Sequence, residues 1–81
     1  MERLKNKVAI ITGVSKGIGA ALCAQLLEEG VRVFGLGRNA YPESHLNFTF
    51  IPTDVRNYKE VEAAFDIVNA ATDHQIDILI N

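Results

Sequence analysis

Residues 11–19 read ITGVSKGIG, and this stretch decides the fold. The run that leads into it, VAIIT from Val8 to Thr12, is continuously apolar and rich in β-branched residues. Such a run predicts a strand buried on both faces. The run that leaves it, IGAALCAQLLEEG, carries Ile18, Leu22, Gln25 or Leu26, and Glu29 at helical spacing among alanines that favour helix. Gly30 supplies a natural stop. Gly13, Gly17 and Gly19 therefore stand where a strand turns into a helix. A turn without Cβ atoms lets backbone N–H groups approach phosphate oxygens. The helix that follows aims its unpaired N–H groups and positive dipole end at the same place. The spacing is G-x-x-x-G-x-G, so it is neither G-x-G-x-x-G nor a P-loop. Lys16 is not followed by the serine or threonine that a P-loop uses for magnesium. A turn that merely joins strand to helix is the plainer alternative. Three glycines at this junction, followed by a βαβ pattern, favour the phosphate reading.

Working outward, VRVFGL from Val31 to Leu36 alternates as a second strand, and FTFIP from Phe48 to Pro52 is a third. Residues 37–47 between them are too few for a full helix, so an irregular link or a single turn is expected. Asn57 with Glu60 three places on forms a capping-box pattern. It starts a helix on which Val61, Ala64, Phe65 and Val68 share a face. IDILIN, from Ile76 to Asn81, begins a fourth strand. The order β-α-β-β-α-β predicts an α/β fold. Right-handed crossovers make a Rossmann-type βαβ half, with a parallel sheet in strand order 3-2-1-4, the leading topology.

Composition sets the outer limits. With 48% hydrophobic and 22% charged residues the chain is globular in character rather than disordered. A net charge of −2 gives no broad attraction to nucleic acid or anionic membrane. The single cysteine, Cys23, excludes an internal disulfide and is best read as core packing. His45 and His74 are too far apart to suggest a metal site, and both sit in polar links. Apolar runs are strand-sized, and the start lacks a leader-type apolar stretch, so a cytoplasmic location is the default expectation.

TGVSKGIG, from Thr12 to Gly19, resembles the fingerprint T-G-x-x-x-G-x-G of the short-chain dehydrogenases/reductases. Asp54–Val55 after the third strand resembles that family's adenine-side contact. DILIN at residues 77–81 resembles its fourth strand running into an N-N-A-G motif, of which Asn81 is the first asparagine. The resemblance spans residues 1–81 and marks them as the N-terminal part of a dinucleotide-binding domain. It implies that Gly13, Ser15, Lys16, Gly17, Ile18, Gly19, Arg38, Asp54, Val55 and Asn81 hold a nicotinamide dinucleotide. Several bland roles stand beside these. Asp54 can instead cap or nearly cap a helix, Ser15 can simply satisfy the turn, and Thr12 can steady the turn through its hydroxyl.

In this fold an acid at the end of the second strand binds the adenosine ribose and selects NAD, whereas an arginine there accommodates a 2′-phosphate. No Asp or Glu lies between Val31 and Pro42, and Arg38 is in position. Guanidinium suits phosphate through its planar fork. In the related family a basic residue before the second glycine, here Lys16, accompanies the same preference. The expectation is NADP(H) over NAD(H), against the alternative that both side chains are ordinary solvated charges.

The resemblance implies hydride transfer between nicotinamide and a carbonyl or alcohol. In the family, a serine and a Y-x-x-x-K helix beyond the fourth strand perform it. Tyr41 and Tyr58 lack a lysine four places on and read as partly buried surface aromatics. Residues 1–81 thus contain no catalytic set, and this segment alone is expected to be inactive and, if the chain ended at Asn81, to fold weakly. The complete enzyme would take a small carbonyl or hydroxyl substrate and could form a homo-oligomer. The alternative is a non-catalytic dinucleotide-binding or interaction module, or an inactive truncated fragment.

Overall fold

The computed structural model describes residues 4–81. Six elements follow one another: β1 (Val8–Thr12), α1 (Gly17–Glu28), β2 (Arg32–Gly37), β3 (Phe48–Pro52), α2 (Tyr58–Thr72) and β4 (Ile78–Ile80). The four strands form one parallel sheet in the order β3-β2-β1-β4, as the alternation of elements predicts. The β2–β3 link contains no helix, also as expected from its length.

The pleat explains why β1 is apolar throughout. Ala9 and Ile11 face one side, where they join Cys23, Leu26 and Leu27 of α1 with Val14, Val31 and Val33. Val8 and Ile10 face the other side, with Phe34, Leu36, Ile51, Ala64 and Val68 of β2, β3 and α2. A strand feeding two cores in alternation must be hydrophobic at every position. The α1 line of Ile18 and Leu22, which carries helical spacing in the sequence, lies outward, with Ile18 80% exposed. The inward line is Gly19, Cys23, Leu26 and Leu27. Burial pushes the Cys23 thiol up to about 11, so it behaves as a small apolar side chain.

The C-terminal end of α1 and the N-terminal end of α2 are satisfied locally. After α1, Gly30 N–H donates to Leu27 O and Val31 N–H to Leu26 O, the paired bonds of a Schellman motif. At the start of α2 the Asn57 carboxamide accepts from Glu60 N–H at 3.2 Å, so half of the expected capping box forms. The other half is redirected, because the Glu60 carboxylate accepts from Asp54 N–H at 2.9 Å. Glu60 is therefore an anchor for the loop after β3. The strand expected from Ile76 shortens to Ile78–Ile80 because Asp77 has another task. Its carboxylate accepts from Val8 N–H at 2.9 Å and from the Gln75 amide at 2.7 Å, tying the entry of β4 to the entry of β1. Tyr41 packs against Phe48 with ring centroids 5.2 Å apart, whereas Tyr58 is 77% exposed and not partly buried as its sequence context suggests.

Candidate functional site

In an open parallel sheet, ligands bind beyond the carboxyl ends of the strands, where the strand order reverses. Here that point lies between β1 and β4. The chain leaves β1 across one face through α1 and returns to β4 across the other face through α2.

The loops at this end are laced together by main-chain bonds. Gly13 N–H donates to Leu36 O at 3.2 Å, bringing the glycine turn beside the end of β2. Thr53 N–H donates to Gly37 O at 2.8 Å, bringing the loop after β3 beside the same place. The Thr12 hydroxyl lies 3.2 Å from Asn81 Oδ1 and donates to it. It thus bridges the ends of β1 and β4 instead of steadying the glycine turn. Four loop starts therefore share one rim.

The glycine turn has two distinct demands. Gly13 and Gly17 have φ of +70° and +67°, the left-handed region that L side chains avoid, and a Cβ on either would enter open space. Gly19 is different. A Cβ there would fall onto the carbonyl oxygen of Gly13, far inside van der Waals contact. Gly19 thus lets the first turn of α1 press against the glycine turn itself. Ahead of it, Lys16 is the extended N-cap residue, with no side-chain bond to the helix. Among the described residues the N–H groups of Gly17, Ile18 and Gly19 donate to nothing, while Ala20 N–H reaches Lys16 O at 3.5 Å. These free donors, with open space above Gly13 and Gly17, fit an anionic group such as a pyrophosphate. Lys16 is exposed and Ser15 half-buried.

Arg38 follows β2 directly and is exposed. Asp54, after β3, is not a helix cap; that role belongs to Asn57. Its carboxylate is gripped by Arg56 instead. Oδ1 accepts from Arg56 N–H at 3.0 Å and from Nε at 3.1 Å, and Oδ2 accepts from Nη2 at 3.2 Å. These bonds hold the Asp54 carboxyl below its ordinary range, with a smaller contribution from the charge of Arg38. Val55, 52% exposed, makes no described hydrogen bond through its N–H and lines a cleft of about 270 Å³ with Thr12, Leu36, Phe65, Leu79 and Asn81.

The structure thus places the loops that carry the expected cofactor-binding residues at one end of the sheet. It adds Arg56, Glu60 and the apolar walls from Leu36, Phe65 and Leu79. Arg56 had a readable signal, since an arginine two places after an aspartate can close an Asx turn with both its N–H and its side chain. The walls had none, because they come from three separate elements. Among the described residues no group of three His, Cys, Asp or Glu is placed to hold a metal ion. No helix among them is long and apolar enough to cross a membrane.

Residues 7–81 match the family model of the short chain dehydrogenases. An uncharacterised oxidoreductase of Staphylococcus haemolyticus is 40% identical, the match covering 100% of this chain and 38% of that protein. A short chain dehydrogenase of Emericella variicolor is 38% identical, covering 96% of this chain and 32% of that one. Among solved structures, ligand-free aldohexose dehydrogenase of Thermoplasma acidophilum superposes with a TM-score of 0.87 at 32% identity, over 96% of this chain and 29% of that one. A short chain dehydrogenase of Leptospira borgpetersenii with bound NAD+ gives 0.84 at 30% identity, over 95% and 31%. The chain spans about a third of the length of the curated relatives it matches.

Proposed function

The chain belongs to the short-chain dehydrogenase family, and from that membership we propose that it forms the dinucleotide-binding portion of an oxidoreductase that interconverts a carbonyl and an alcohol. The observation that carries this reading is the glycine turn: two left-handed glycines and three free N–H donors, at the point where strand order reverses. Gly13, Ser15, Gly17, Ile18 and Gly19 would hold the pyrophosphate. Asp54 and the Val55 N–H would read the adenine at the cleft, and Asn81 would lie near the nicotinamide-side ribose. When bound, the cofactor supplies the hydride or accepts it. The residues of this chain bind and orient it, and contain no Y-x-x-x-K set of their own. The reaction therefore belongs to the complete protein, as do its small carbonyl or hydroxyl substrate and any homo-oligomer. We place that protein in the cytoplasm.

The cofactor is NADP(H) in preference to NAD(H). Arg38 stands where an acid would select NAD, and no acid lies between Val31 and Pro42. Lys16 and Arg38 are both exposed, so neither pays a large desolvation cost on meeting a 2′-phosphate. The test is a pair of binding titrations on the complete protein. NADP+ should bind more tightly than NAD+, and Arg38→Asp should reverse the order. An affinity ratio unchanged by Arg38→Asp would refute the assignment.

A further inference from the structure

Asp54 is held in a way that helix capping does not require. Its main chain is fixed independently of its carboxylate: Asp54 N–H donates to Glu60 Oε1 at 2.9 Å, and Asp54 O accepts from Asn57 N–H at 2.9 Å. The carboxylate is then gripped by one residue alone, through three bonds from Arg56. A carboxylate has about four acceptor directions, two on each oxygen. Arg56 takes both directions on Oδ1 and one on Oδ2. One direction on Oδ2 remains, and the Asp54 side chain is 32% exposed, so a ligand can reach it. The Arg56 side chain is itself 74% exposed, and exposed ion pairs contribute little to folding. The fork is thus better suited to aiming a carboxylate than to stabilising the chain.

We propose that Arg56 is a positioning residue that aims the remaining lone pair of Asp54 Oδ2 at the exocyclic amino group of the bound adenine, an inference that rests on the dinucleotide reading above. A donor arriving at Oδ2 adds to the fork and does not displace it. Hypoxanthine carries a carbonyl where adenine carries that amino group, so an aimed carboxylate rejects it. A carboxylate free to rotate turns aside and discriminates less.

The experiment measures dissociation constants of the complete protein for NADP+ and for its hypoxanthine counterpart. Wild type should favour the adenine form about tenfold, the worth of one hydrogen bond to a charged group. Arg56→Ala should bring that ratio to about threefold or less, mainly by weakening the adenine form. Arg56→Lys, which keeps the charge but loses the fork, should also lower it. If wild type shows no preference, the adenine role of Asp54 falls and this proposal with it. If wild type discriminates but either Arg56 variant keeps the full ratio, the base is read without help from Arg56 and only that role is overturned.

Discussion

The three glycines of the first turn are not interchangeable. Gly13 and Gly17 are needed for their backbone angles and for the space above them, Gly19 for a contact. That difference makes a prediction for Gly19→Ala. Alanine in a helix gains up to about 1 kcal/mol in propensity over glycine. Overpacking against a backbone carbonyl, which cannot swing aside like a side chain, costs about 1–3 kcal/mol. The second effect wins, so urea denaturation of the complete protein should show a loss of stability. A gain would mean that α1 does not press on Gly13. In the sequence, the glycine spacing was legible because it is a local pattern. The grip of Arg56 on Asp54 was less so, since it depends on how a long side chain folds back.

Between elements, Asp77 ties the entries of two neighbouring strands together. It sits at the entry of β4 and accepts from the N–H of Val8 at the entry of β1, 69 positions earlier. Donation by Val8 N–H and by the Gln75 amide holds its carboxyl below the usual value. A lowered folded value means that the charged form is the one the fold prefers. Its contribution is therefore complete above about pH 3.9, the ordinary aspartate value, and is lost as pH falls through the lower folded one. Asp77→Asn should remove that part of the acid sensitivity, seen as a smaller difference between denaturation midpoints at pH 6 and pH 3. An identical difference in both proteins would show that Asp77 does not couple β1 to β4. The strands and helices themselves were readable from apolar runs and from Asn57, Glu60 and Gly30. The start of β4 was not, because Asp77 reads as an ordinary strand position until its partner on β1 is seen. The orientation of α1 was likewise hidden. Ile18 and Leu22 look like a core line, and the contact at Gly19 turns them to the outside.

For the whole molecule, alternating strands and helices with right-handed crossovers leave one economical arrangement, β3-β2-β1-β4, and the sheet adopts it. That order places the reversal beside β1, so the glycine turn, Arg38, the Asp54 loop and Asn81 meet at one rim though they lie far apart in the chain. The cleft of about 270 Å³ between Val55 and Asn81 is a product of this assembly. Leu36, Phe65 and Leu79 supply its apolar walls from β2, α2 and β4, which is why no single stretch of sequence announced it. Amide-resolved NMR of the complete protein titrated with NADP+ tests the central claim most directly. The N–H signals of Gly17, Ile18 and Gly19 should move most as the ligand saturates, while Gly30 and Asp73 at the opposite end of the sheet stay in place. Saturation that leaves those three signals unmoved would contradict the account.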